Sequence, residues 1–137
     1  MIDSADEFRR LRTSEDHQEQ RRAALEPTTE EIWIEVIERF PEMREWVAIN
    51  KTVPVSILRV LATDADARVR STVATKRKLN RELFELLARD PDDSVRDRVA
   101  WNPKVPADLL ALLAQDSVEF VASSARERIL RNEDRSR

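Results

Sequence analysis

A chain of 137 residues, 41% hydrophobic and 37% charged at a formal net charge of −3, can bury one useful core beneath a heavily ionised surface. It holds no glycine and no cysteine. That excludes the backbone loops that cradle phosphates in Walker and dinucleotide motifs, and with them disulfides, thiolate metal sites and cysteine nucleophiles. The charge is uneven: residues 1–46 carry 7 basic and 13 acidic groups, whereas residues 68–104 carry 10 basic and 6 acidic.

From the start, Met1-Ile2-Asp3-Ser4-Ala5-Asp6-Glu7 has neither the basic start nor the apolar run of a signal peptide. No stretch approaches the roughly 20 apolar residues that span a bilayer. With cysteine missing as well, a cytoplasmic location is expected. Residues 1–26 offer only Phe8, Leu11 and Leu25 as sizeable apolar anchors, which suits either a loosely docked helix or a mobile segment. Thr28-Thr29-Glu30-Glu31 reads as a capping box that opens a helix carrying Ile32, Trp33, Val36, Ile37 and Phe40. Pro41 ends it, so residues 27–46 form a degenerate capping unit with Trp33 and Trp46 assigned to the core.

Residues 47–124 divide into three units of 26 residues with no insertion: 47–72, 73–98 and 99–124. Val47, Val73 and Val99 align, each before an alanine. Ile57, Leu83 and Leu109 align next, then Leu58, Phe84 and Leu110, then Leu61, Leu87 and Leu113. Asp64, Asp90 and Asp116 close the run, and Val69, Val95 and Val121 begin the next apolar group. The spacing i, i+1, i+4, i+5 is one face of a helix, not a strand alternation. Helices of about ten residues are expected to start near 54, 80 and 106, where Pro54 and Pro106 suit a first turn. A shorter second helix, α or 3-10, follows in each unit. One unit cannot bury its stripe alone, but stacked units bury it against each other. Residues 125–137 supply a closing helix through Ala125, Ile129 and Leu130, then a polar tail from Asn132 expected to fray. Trp33 or Leu130, if left exposed, would favour a dimer.

Val99-Ala100-Trp101-Asn102-Pro103-Lys104-Val105-Pro106 running into Leu109-Leu110-Ala111-Leu112-Leu113-Ala114, together with Asp90-Pro91-Asp92-Asp93-Ser94-Val95-Arg96, resembles the leucine-rich repeat variant proteins. The resemblance covers residues 47–124 well and 27–46 loosely, and is carried mainly by packing positions. It implies an all-α, right-handed α-solenoid (an alpha-alpha superhelix) in which longer α-helices alternate with short α or 3-10 helices, more distantly similar to HEAT and armadillo arrays. The best-known form of that family carries an iron–sulfur cluster on a cysteine-containing segment. This chain has no cysteine, so the cluster does not transfer, and the family implies no catalytic residues.

Candidate partner-binding residues fall in three places. Arg44, Arg70 and Arg96 stand 26 residues apart and would align on stacking. They form either a basic stripe for carboxylates and phosphates or a set of structural pairs with Asp64, Asp90 and Asp116. Lys76-Arg77-Lys78 is the densest basic cluster, either a contact for an acidic partner or nucleic-acid backbone, or a solvated turn. Trp101 shares its column with Ile49, Thr75 and Glu127, which points either to a partly exposed hot spot or to packing on a turn. The Asn50 and Asn102 column is expected to satisfy backbone groups of turns. His17 is the single histidine, so no histidine metal cluster and no Ser–His pair is expected. These residues favour a non-catalytic protein-binding module without cofactor. The alternative is a nucleic-acid binder acting through Arg70, Lys76, Arg77, Lys78, Arg81 and Arg96.

Overall fold

The computed structural model describes residues 1–136, and every regular element among them is helical. In chain order these are α1 (Ala5–Thr13), α2 (His17–Leu25), α3 (Glu30–Arg39), a 3-10 turn (Pro41–Met43), α4 (Arg44–Ile49), α5 (Val55–Leu61), α6 (Ala67–Ala74), α7 (Arg81–Ala88), α8 (Asp93–Trp101), α9 (Ala107–Leu113) and α10 (Glu119–Arg135). No helix is long and apolar enough to cross a membrane among these residues. The chain divides into two compact units, Met1–Leu61 and a second beginning at Ala62.

In the first unit α1 packs on α2 and α3, and α4 on α2, α3 and α5. The charged N-terminal segment is an integral part of it. Ile2, Ala5, Phe8 and Leu11 are fully buried, spaced three apart on one stripe of α1 and its lead-in. Phe8 meets Trp33 edge to face, ring centroids 5.2 Å apart. The Ile2 amide donates to the Pro27 carbonyl at 3.0 Å, and Thr28 Oγ1 donates to the Ile2 carbonyl at 2.7 Å. Ser4 and Asp16 cap α1 and α2, and Thr29 caps α3 by accepting from the Ile32 amide. Trp33 is buried as expected. Trp46 is only half-buried, which corrects its assignment to the core.

In the second unit α8 contacts α6, α7, α9 and α10, while α7 packs on α6 and α9. Val69, Val73, Leu83, Leu87, Val95, Val99, Leu109, Leu113 and Val121 form its core. α7 and α9 begin one residue later than expected and end two or three residues before the aspartates. The expectation of a long helix alternating with a short one is corrected here, since α8 spans nine residues and α7 eight. Asp66 and Asp92 are the reason. Each accepts from the amide two residues on and starts its helix almost at once after the preceding turn. Only one 3-10 element occurs among the described residues, at Pro41. The tail from Asn132 is helical through Arg135, and Arg137 lies outside the described residues.

Helix ends are finished in an unusual way. No described residue has positive φ, so no helix closes on a left-handed residue. Instead Asn102 Nδ2 donates to the Ala74 and Lys76 carbonyls at the end of α6, at 2.7 and 2.9 Å, while its Oδ1 accepts from the Lys104 amide. Asn50 donates likewise to the Ala23 and Glu26 carbonyls at the end of α2.

Two stability measurements check this account. Phe8→Ala should cost about 3–5 kcal/mol and lower the urea midpoint accordingly. An unchanged midpoint would mean that α1 contributes little. Asn102→Ala should cost about 1–3 kcal/mol, because two carbonyls lose their donor, one of them in a buried site.

Candidate partner-binding site

Two of the three aligned arginines are spent inside the second unit. Arg70 donates from Nε and Nη2 to both Asp90 oxygens at 2.9 and 3.2 Å, and from Nη1 to the Asp64 carbonyl at 2.7 Å. Arg96 repeats this on both Asp116 oxygens at 2.8 and 3.2 Å and on the Asp90 carbonyl at 2.7 Å. The same aspartates accept from backbone amides two residues on, Asp92 and Val118. Both pairs are largely withdrawn from solvent. Arg96 holds the Asp116 carboxyl below the usual carboxylate range, outweighing the opposing effect of burial. Arg44, in the first unit, donates from Nε to the Ile37 carbonyl at 2.8 Å and is half-buried. The arginine column is thus a set of internal clamps, and the stripe reading is corrected for Arg70 and Arg96.

Lys76, Arg77 and Lys78 form the turn between α6 and α7. Arg77 and Lys78 are exposed, whereas Lys76 is half-buried and its carbonyl is held by Asn102. Arg81 is committed to Glu85 and, across to α9, to Asp108. Three of the ten basic groups of residues 68–104 are therefore paired with Asp90, Asp108 and Asp116.

Trp101 ends α8 half-buried. Arg128 and Arg131 of α10 stand over its ring at 5.8 and 5.4 Å. A shallow groove of about 180 Å³ runs beside it, lined by Pro103, Arg128, Arg131, Asn132 and Arg135. Arg128 also donates to the Ala100 and Asn102 carbonyls. Burial, and then its like-charged neighbours Arg135 and Arg131, push its pKa down.

The sequence reading passed over a further column. Leu86 on α7 and Leu112 on α9, 26 residues apart on helices that touch, stand 45% and 44% exposed. Val60 occupies the same column in the first unit and is 43% exposed. Leu130 on α10 is 62% exposed. The signal was present as a third apolar position on each helix, beside the core pairs.

No protein-family model matches the chain, and no curated protein or solved structure is significantly similar to it.

The clamp predicts a pH signature. Because Asp116 is depressed in the folded state, the stability it adds is present above about pH 4 and lost as pH falls through its lower folded value. Asp116→Asn keeps an acceptor for the Val118 amide but loses the charge. It should lower stability at neutral pH by about 1–3 kcal/mol and flatten the acid-side decline in urea midpoint.

Proposed function

We propose that the chain is a non-catalytic protein–protein interaction module, built as an α-solenoid of the leucine-rich repeat variant type. The repeat reading is supported by the helix starts, which fall at Val55, Arg81 and Ala107 and again at Ala67, Asp93 and Glu119. It is also supported by the matched contacts of Arg70 and Arg96.

The observation that carries the functional reading is the exposed pair Leu86 and Leu112, on the touching helices α7 and α9 of the second unit. An apolar side chain at a recurring solvent-facing position contributes nothing to solubility, but gains apolar burial when a partner covers it. Trp101, half-buried beside a groove lined by Arg128, Arg131 and Arg135, adds a second contact surface in the same unit, aromatic and cationic in character. The nucleic-acid alternative loses Arg70, Arg81 and Arg96 to carboxylates. A phosphate backbone would have to displace those carboxylates.

Affinity capture from lysate of the source cell, with and without nuclease and at low and high salt, separates the two. The protein reading expects a partner that survives both treatments and is lost with Leu86→Glu/Leu112→Glu while helical circular dichroism is retained. Nucleic acid that elutes with salt, and is lost with Arg77→Glu/Lys78→Glu, would establish the alternative instead.

A further inference from the structure

The first unit contains a pocket that the partner-binding surface does not use. It measures about 300 Å³, at the small end of ligand sites. Arg12 of α1, His17, Gln20 and Arg21 of α2, and Trp46 of α4 form its polar and aromatic wall, and Ala23, Ala24 and Ile49 its apolar one.

Its cations are unlike their neighbours. Among the arginines of residues 1–43, Arg9 pairs with Glu42, Arg10 with Glu19, Arg22 with Glu26 and Glu7, and Arg39 with Asp6 and Glu35. Among the described residues Arg12 and Arg21 have no carboxylate partner, although acidic groups outnumber basic ones in this stretch. Arg12 lies over the Trp46 ring at 3.3 Å, and its buried Nε finds no hydrogen-bond partner among the described residues. Asp16, the nearest carboxylate in sequence to His17, is engaged in capping α2 through the Gln18 amide.

We infer that this pocket binds a small organic phosphate monoester, its dianionic head between Arg12, Arg21 and His17 and its body against Ala23, Ala24 and Ile49. Two guanidinium groups from different helices and an imidazole line the one pocket, so an anion held there is offered donors from more than one side. A tetrahedral dianion satisfies such a set better than a planar carboxylate, and two fixed positive charges match two negative ones. The stack on Trp46 fixes the plane of the Arg12 fork before ligand arrives, which lowers the ordering cost of binding. The volume exceeds what an inorganic phosphate fills, so the apolar wall selects for an attached body.

Calorimetric titration of the full chain with phenyl phosphate, inorganic phosphate and benzoate tests this, alongside the Trp46 indole N–H shift by NMR. Phenyl phosphate should bind with Kd below about 1 mM and shift the Trp46 signal. Inorganic phosphate and benzoate should each bind about tenfold more weakly. Arg21→Gln, at an exposed position, should weaken phenyl phosphate about tenfold with unchanged circular dichroism, and Arg12→Gln likewise. The inference is overturned by no binding of phenyl phosphate at about 10 mM, by equal binding to the folded Arg21→Gln variant, or by benzoate binding as tightly. Trp101→Phe, in the other unit, should leave the affinity unaltered; a loss there would place the site elsewhere and also overturn it.

Discussion

A chain without glycine lacks the residue best suited to close a helix in the left-handed conformation, no described residue adopts that conformation, and much of this structure follows from the way its helices end instead. The last carbonyls of a helix need donors, and leaving one buried and unpaired costs about 1–3 kcal/mol. Here the donors come from side chains of later elements, two asparagines that begin the turn after a helix and one arginine within α10. Asn50 reaches the end of α2, Asn102 the end of α6, and Arg128 the end of α8. Asn102 and Arg128 stand 26 residues apart, as do the Ala74 and Ala100 carbonyls that they hold. A task that glycine performs within one helix is thereby transferred to a contact between helices. Finishing a helix and packing it on its neighbour become the same event.

The aspartates bind the other end of each helix pair. Asp90 accepts the Asp92 amide and thereby sets the turn that lets Asp92 cap α8, and it accepts both donors of the Arg70 fork. One carboxylate thus holds a turn, the start of α8 and, through Arg70, α6 together. Such a pair, once withdrawn from water, is costly to break, because the partner left behind has no solvent to turn to. This explains why arginines aligned by sequence do not form a binding stripe: the alignment is what lets each grip the next aspartate.

The helical periodicity, the positions of α3, α5, α7 and α9, and the role of Asn102 were legible because they rest on spacing and on side-chain chemistry that act locally. The length of α8 was not. The eye stops at Asp90 as a terminator, whereas Asp92 restarts the chain two residues later. Residues 1–26 were harder still. Ile2, Ala5, Phe8 and Leu11 form a stripe, but a narrow one among many charges, and only the surface of α3 reveals that it suffices. Leu86 and Leu112 illustrate the converse limit. Apolar residues at i+3 of a buried pair read as core, and whether a helix face is covered depends on neighbours that spacing does not specify. Trp46 belongs with them, since its half-burial depends on Arg12, 34 residues away in sequence.

In a chain this rich in charge, the ion pairs themselves distinguish structural cations from functional ones. An arginine facing a carboxylate at hydrogen-bond distance has its field largely cancelled and its donors occupied, so an incoming anion must first compete with the resident one. Arg70, Arg81 and Arg96 are in that position, and a total count of basic residues overstates what this surface offers to a polyanion. Arg12 and Arg21 are not, despite the acidic stretch around them. A cation kept unpaired among surplus carboxylates holds an attraction that folding has not used, and Arg12, stacked on Trp46, is also held in place. The same reasoning applies to apolar groups: Leu83 and Leu87 are consumed in the core of the second unit, while Leu86 between them is left facing out. What folding leaves unsatisfied on a rigid framework is what remains for binding, and by that criterion the two units offer different chemistry, an anion pocket in one and an apolar face in the other.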